Sequence, residues 1–159
     1  MKSQLLKGVT MLVAIIALAF VTALVSSAQS RSRQLTADIP FDFVVGERTL
    51  AAGNYAVGTA STASSEAVVI RSSDGRQKAM RLTKSVSDNA AARRARLVFH
   101  RYGNTYFLTQ VWAAGASEGR EMLKTRQERS ESELAKNAAG TESARSGGPE
   151  VVTIVAEMK

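Results

Sequence analysis

The clearest structural pattern in the chain is RLVFHRYGNTYFLTQVW, residues 96–112. Residues 96–102 and 105–112 are rich in β-branched and aromatic side chains, and they flank Gly103-Asn104, a pair typical of tight β-hairpin turns. One predicted face carries Leu97, Phe99, Arg101, Tyr106, Leu108, Gln110 and Trp112. The other carries Val98, His100, Tyr102, Thr105, Phe107, Thr109 and Val111. Because both faces hold large apolar side chains, we predict a central hairpin that is covered on both sides.

Further strands are predicted before and after this hairpin. Apolar and polar residues alternate from Leu35 to Val45, although Pro40 lacks the backbone N–H that a central strand needs. Additional short strands are predicted at residues 54–59, 68–71, 78–86 and 151–156. The second and third of these flank a polar Ser-Ser-Asp-Gly reversal and form another hairpin.

One helix is predicted among these strands. Residues 118–138 lack proline and carry helix-forming residues with charges of both signs, so they favour a surface helix. A Gly/Ser linker follows at residues 140–149. The pattern as a whole predicts a mainly β domain, a single antiparallel sandwich or partly open barrel of about six or seven strands with one surface helix.

The N-terminus predicts export. Lys2 and Lys7 precede an apolar run from Val9 to Val25, and a Ser-Ser-Ala triplet follows, ending at Ala28. This order is typical of a cleavable secretory signal peptide. We therefore expect a signal peptide at residues 1–28, cleavage after Ala28, and one periplasmic or extracellular domain at residues 29–159. The alternative is an uncleaved membrane anchor, because the run is close to the shortest length, about 17 residues, that spans a bilayer.

Basic residues concentrate in the middle of the chain, because residues 71–101 contain nine Lys and Arg residues and only two acidic ones, Asp74 and Asp88. The nine are Arg71, Arg76, Lys78, Arg81, Lys84, Arg93, Arg94, Arg96 and Arg101. Their excess over the two acids is +7, the same as the formal charge of the whole chain. Such a region indicates a surface for an anionic partner, although outward positions kept soluble by charge are the alternative.

The candidate partners of this basic region are phospholipid headgroups, an acidic polysaccharide or another envelope protein. Nucleic acid is not expected, because export separates the protein from it and few aromatic side chains interleave with the cations. Attachment to a membrane is expected only if the N-terminal segment is retained.

The residue types give little support for a catalytic or metal-binding site. His100 is the only histidine and the chain has no cysteine, so disulfides and thiolate metal sites are excluded. A Ser-His-Asp site would have to use His100, but no G-x-S-x-G motif is present, and a packed histidine is the alternative. No phosphate-binding glycine loop or EF-hand spacing occurs. We expect no cofactor and assign no catalytic residue.

Three segments together resemble a group of small exported bacterial proteins of unassigned function. They are IPFDFVVGERTLAAGNY at residues 39–55, LVFHRYGNTYFLTQVW at residues 97–112 and GREMLKTRQER at residues 119–129. The resemblance covers most of the predicted mature chain and implies export and a shared fold, and it carries no activity or site residue.

These observations favour a non-catalytic envelope or secreted module that binds partners or serves as a scaffold. Two alternatives remain open at this point: a small extracytoplasmic hydrolase that uses His100, and a membrane-tethered accessory protein that keeps residues 9–25.

Overall fold

The computed structural model describes residues 34–60, 67–138 and 148–158. These residues form ten strands and one helix. The elements are β1 (Leu35–Ile39), β2 (Phe43–Val45), β3 (Arg48–Leu50), β4 (Gly53–Thr59), β5 (Ala67–Ser72), β6 (Lys78–Ser87), β7 (Ala95–Tyr102), β8 (Thr105–Trp112), β9 (Glu118–Met122), α1 (Arg126–Ala138) and β10 (Glu150–Met158). The predicted signal peptide and most of the predicted linker lie outside the described residues.

Eight of the strands close into a ring. Around the wall the order is β8, β7, β10, β1, β4, β5, β6 and β9, and β9 pairs back onto β8. Every pairing within this ring is antiparallel. The predicted class, a mainly β domain built as a partly open barrel with one helix, is therefore confirmed.

Two short segments close the wall between β6 and β8. β9 covers the second half of β8, and β2 covers the first half in a parallel ladder that sets Phe43 opposite Tyr106. β3 pairs with β2 and reaches the beginning of β6, where the Arg48 guanidinium donates a 2.8 Å hydrogen bond to the carbonyl of Lys78. The hairpin of β2 and β3 thus occupies the place that a longer β9 would take.

The wall is less complete between β1 and β10. These strands pair only at Leu35–Met158 and Thr36–Glu157. Beyond these two pairs, β1 stays paired with β4 and β10 stays paired with β7. The half-buried side chains of Val152 and Ile154 on β10 pack against the core there. Pro40, which lacks a backbone donor, follows the last residue of β1, so the predicted strand from Leu35 to Val45 is divided into β1 and β2.

Apolar side chains fill the interior of the ring. Phe43 lies between Tyr55 and Phe99 in edge-to-face contacts, with ring centroids 5.0 Å and 5.6 Å apart. All three rings are buried, and such aromatic pairs contribute about 0.5–1.5 kcal/mol each beyond the burial of their area. The described interior is a packed core.

The predicted central hairpin is present with one irregularity. Tyr102 lies opposite Thr105 as predicted, but the register shifts after Val98, so that Thr109 is an extra residue in β8. The Thr109 hydroxyl donates a 3.0 Å hydrogen bond to the Val98 carbonyl. Such a bulge reverses the alternation that follows. Val111 therefore faces the core with Leu97, whereas the predicted alternation placed Val111 on the opposite face from Leu97.

The outer face of the hairpin is covered at two places, as its apolar residues predicted. Tyr102 and Phe107 pack with Val44 and with Ala135 of α1. Near the other end of the hairpin, the loop between β6 and β7 brings Ala92 against Val98 and Trp112.

The helix is shorter than the predicted span of 118–138. Residues 118–122 form β9, because they pair with β6 on one side and β8 on the other and place Met122 in the core. The helix begins after Thr125, whose hydroxyl accepts a 3.1 Å hydrogen bond from the backbone N–H of Glu128. A threonine in this position satisfies one of the free N–H groups of the first turn and fixes where the helix starts.

Candidate functional site

The nine basic residues of the predicted anionic-partner surface fall into three separate sets. The first set lies on the β5–β6 hairpin: Arg71, Arg76, Lys78, Arg81 and Lys84. The second lies at the entrance to β7: Arg93, Arg94 and Arg96. Arg101, near the far end of β7, stands alone. Since β9 and β8 separate β6 from β7 in the wall, the nine side chains do not form one surface.

Arg101 is engaged in closing one end of the barrel. Its guanidinium donates hydrogen bonds to the Gly103 carbonyl at 2.8 Å and to Glu150 at 3.1 Å. The same group lies 5.4 Å from the centre of the Tyr106 ring, within the range of a cation–π contact. These contacts tie the hairpin turn to the start of β10.

The second basic set borders a surface groove. Arg96 pairs with Asp88 at 3.3 Å and lies 5.0 Å from the centre of the Trp112 ring. Arg93 and Arg94 are exposed at the edge of a cavity of about 470 Å³ that also contacts Val155. Of this set, two cations are exposed and the third packs on tryptophan.

The first set contains an outward-facing row along β6. Alternation places Lys78, Met80, Leu82 and Lys84 on the outer face, while Ala79 and Thr83 face inward and are buried. Met80 and Leu82 are 65% and 66% exposed, which is unusual for two large apolar side chains side by side on one strand. We call these four residues the β6 row.

The neighbouring strand extends the β6 row sideways. Lys78 lies opposite Arg71, Met80 opposite Val69, and Leu82 opposite Ala67. On the next strand, Gly58 lies opposite Val69. Valine, alanine and glycine therefore border the two large apolar side chains on the β5 side, and two cations lie together at one end.

The cations of this surface differ in their partners. Lys84 lies 3.3 Å from the half-exposed Glu121, and Arg76 lies 3.8 Å from the exposed Asp74. Within the part of the chain that the structure describes, neither Arg71 nor Lys78 makes an ion pair. Exposed pairs are worth only about 0–1 kcal/mol, so even the paired cations stay available to a stronger anionic partner.

Arg81, although adjacent in sequence, does not join the β6 row. Its side chain lies under the turn between β2 and β3, where a Cβ on Gly46 would come within 3.4 Å of the Arg81 Cδ. Gly46 has a φ of 67°, in the left-handed region that favours glycine. Arg81 thus supports the β2–β3 hairpin.

The turn between β5 and β6 is held by its own polar groups. The Asp74 carboxylate accepts hydrogen bonds from the Ser72 hydroxyl and, at 3.0 Å, from the Arg76 backbone N–H. The bond from Ser72 is the main cause that lowers the pKa of Asp74, and the bond from Arg76 adds to it. The acidic group therefore stays ionised beside Arg76.

A polar cluster closes the barrel next to this turn. The Tyr55 hydroxyl lies 2.6 Å from the Ala51 carbonyl and 2.8 Å from Gln77 Oε1. Gln77 Oε1 also accepts a 3.0 Å hydrogen bond from the Ala51 N–H. Burial raises the pKa of Tyr55, and the negative charges of Asp74 and Asp42 raise it further. The cluster borders a polar cavity of about 360 Å³.

His100 has an acidic partner that the sequence analysis did not identify. Its Nδ1 lies 3.3 Å from the Glu128 carboxylate, which is buried under the first turn of α1. The His100 side chain is 22% exposed. No sequence signal joins these residues beyond the Thr-x-x-Glu pattern of a helix start, because their contact depends on how α1 packs on β7.

The described residues contain no group of three or more His, Cys, Asp or Glu side chains that could hold a metal ion. In the same part of the chain, no helix is long and apolar enough to cross a membrane. Comparison of the chain with protein-family models, with curated proteins and with solved structures finds no match.

Proposed function

We propose that this protein is an exported, non-catalytic binding or scaffold module that takes an anionic partner on the outer face of its β5–β6 hairpin. The observation that carries the proposal is the pair formed by Arg71 and Lys78. These two cations lie directly opposite each other on neighbouring strands, both are exposed, and neither has an acidic partner among the described residues.

The other two basic sets fit this role less well. Arg96 and Arg101 already contact acidic and aromatic side chains, and these contacts hold local structure together. Arg93 and Arg94 are exposed, but they lie on a loop and not on a rigid strand. A binding site gains precision when regular secondary structure holds it.

The packed interior also supports a module that acts through its surface. A carrier of small molecules needs a hollow interior, whereas the described core is filled around Phe43, Tyr55 and Phe99. Cavities of about 360 and 470 Å³ lie at the rim of the barrel and on the surface of its wall, outside this packed core.

The test is binding of a soluble polyanion, such as a sulfated dextran, measured by calorimetry with the protein in its exported form. The double variant Arg71→Gln/Lys78→Gln should bind about tenfold more weakly, since two exposed charge contacts are lost. The matched control, Arg93→Gln/Arg94→Gln, removes the same charge elsewhere and should bind nearly as well as wild type.

Salt provides a second arm of this test. Raising the salt concentration from about 0.05 M to about 0.5 M shortens the range of electrostatic interactions and should weaken wild-type binding strongly. Equal loss in both double variants, or binding that does not change with salt, would show that this surface is not the site.

Export is the other part of the proposal, and it rests on the N-terminal sequence. An intact mass of the periplasmic or secreted protein that corresponds to a chain beginning at Gln29 would support cleavage. A mass that includes residues 9–25 would favour the tethered alternative.

The hydrolase alternative has one observation in its favour, the contact between His100 and Glu128. A histidine oriented by a carboxylate is a recurring element of hydrolytic sites. Fluorogenic ester and glycoside substrates provide the test, with His100→Ala as the variant. Turnover that His100→Ala leaves unchanged would end this alternative.

A further inference from the structure

We infer that the anionic partner is the surface of a lipid bilayer with negatively charged headgroups, and that Met80 and Leu82 enter the bilayer interface when the protein docks. This inference rests on the proposed function, because it assigns a partner class to the same β5–β6 surface.

The β6 row has the order of polarity that an interfacial segment requires. Lys78 and Lys84 are the outer members and lie roughly 20 Å apart at about 3.3 Å per strand residue. Met80 and Leu82 lie between them on the same face. A segment of this kind can place its apolar centre about 5–10 Å into the boundary between headgroups and acyl chains while its cations stay at headgroup depth.

The β5 side of the β6 row is weakly polar. Val69 and Ala67 flank the two apolar side chains on β5, and Gly58 follows on β4. Met80 and Leu82 are therefore bordered by smaller side chains on that side, while Met80 also lines the groove at Glu47 and Arg48 on the other. A fluid bilayer adapts to two projecting side chains, whereas a folded acidic protein would need matching pockets to bury them.

The charges around the row favour an anionic surface. Arg71 and Lys78 have no ion-pair partner among the described residues, and Lys84 and Arg76 pair at the surface with Glu121 and Asp74. Glu47, on the β2–β3 turn, is the acidic residue that lines the groove beside the start of β6. The cations of the hairpin outnumber these acids, so attraction to anionic headgroups adds to the apolar contact.

The first experiment measures cosedimentation with vesicles. It uses the protein as recovered from the exported fraction, with all variants in the same form. One vesicle preparation is phosphatidylcholine with about one third phosphatidylglycerol, and the other is phosphatidylcholine alone. We expect binding to the anionic vesicles that is at least about tenfold stronger than binding to the neutral ones.

Two variants separate the apolar contribution from the charge contribution. Met80→Ser/Leu82→Ser removes the apolar side chains and should weaken vesicle binding about tenfold, while affinity for the soluble polyanion stays unchanged. Arg71→Gln/Lys78→Gln should weaken both. The matched control is Val151→Ser/Val155→Ser, since these valines on β10 are 60% and 55% exposed and should contribute to neither.

The second experiment reports insertion directly. Because the chain has no cysteine, Leu82→Cys can carry an environment-sensitive dye at a single position, and Val155→Cys provides the control position. Emission from position 82 should shift to the blue on addition of anionic vesicles, and emission from position 155 should not.

Each outcome supports or overturns a specific claim. Binding to the polyanion without binding to anionic vesicles overturns the bilayer inference and leaves the proposed function standing, with an acidic polymer or protein as partner. Failure to bind either one overturns both claims. Vesicle binding that Met80→Ser/Leu82→Ser leaves unchanged, or that neutral vesicles match, overturns the docking mode inferred here.

Discussion

Replacing Gly119 by alanine tests how the barrel wall is closed. Gly119 is the second residue of β9, and a Cβ at this position would lie 2.6 Å from Cδ2 and 2.8 Å from Cε2 and Cε3 of Trp112. Carbon atoms in contact normally lie about 3.5–4.0 Å apart. The alanine methyl therefore overlaps the indole ring by about 1 Å.

The indole ring has little freedom to move away. Its Nε1 donates a 3.0 Å hydrogen bond to Gln110, the Arg96 guanidinium covers it at 5.0 Å, and the residue is 3% exposed. Overpacking of this kind typically costs about 1–3 kcal/mol. Alanine makes the unfolded chain less flexible than glycine does, which offsets about 0.4–1 kcal/mol of this cost. We expect Gly119→Ala to lower the free energy of unfolding by about 1–2 kcal/mol.

The measurement is urea unfolding, followed by the fluorescence of Trp112, the only tryptophan in the chain. Gly58→Ala is the matched control, because Gly58 also lies in a strand but a Cβ there would have no atom within 4 Å. This control should be as stable as wild type or slightly more stable. If Gly119→Ala unfolds at the wild-type midpoint with unchanged tryptophan emission, the close packing of β9 against Trp112 is wrong.

Further predictions concern the barrel end and the helix. Tyr55→Phe should lower the free energy of unfolding by about 1–2 kcal/mol, since the Ala51 carbonyl and Gln77 Oε1 lose the hydroxyl donor that they share, and thermal unfolding measures this loss. The folded state raises the pKa of Tyr55 above its ordinary value of 10.0. Its contribution is therefore complete below pH 10 and declines as the pH rises through the folded-state pKa, so wild type should lose more stability than Tyr55→Phe in this range. Thr125→Ala should cost about 1 kcal/mol through loss of the helix cap, whereas Thr125→Ser should retain it, and equal stability of these two variants would contradict the capping role.

Local pattern was enough to predict the class of the fold and its central hairpin. The alternation on both sides of Gly103-Asn104 specifies two strands and their turn without reference to the rest of the chain. The bulge at Thr109 could not be predicted from this alternation, because it arises where β8 has one more residue than β7 between two paired positions. One extra residue was enough to exchange the faces of Val111 and Trp112.

The number of strands and the start of the helix depended on distant contacts. The structure has ten strands where six or seven were expected. The additional strands are β2, β3 and β9, which have only three to five residues each and are too short for a clear sequence pattern. Residues 118–122 include good helix formers, but pairing with strands on both sides outweighs a preference of a few tenths of a kcal/mol per residue. Propensity alone could not reveal that pairing.

The candidate surface was only partly visible in the sequence. Its basic residues could be counted, but their division into three sets depends on which strands are neighbours in the closed ring. Nothing in the sequence pattern set Met80 and Leu82 apart, because apolar side chains that alternate with smaller or polar ones usually face inward. Their exposure follows from Ala79 and Thr83 facing the interior.

The place of β10 in the wall sets a condition on how the molecule is made. β10, at residues 150–158, lies between β7 and β1. Each of these two strands therefore lacks a hydrogen-bonded neighbour on one side until β10 is in place. Because a chain is synthesised from its N-terminus, the two strand edges stay unsatisfied until this segment has been made. During that interval the nascent domain is open to mispairing with other copies. Protection by a chaperone, or rapid delivery of the remaining residues, would then govern its yield more than the stability of the finished barrel.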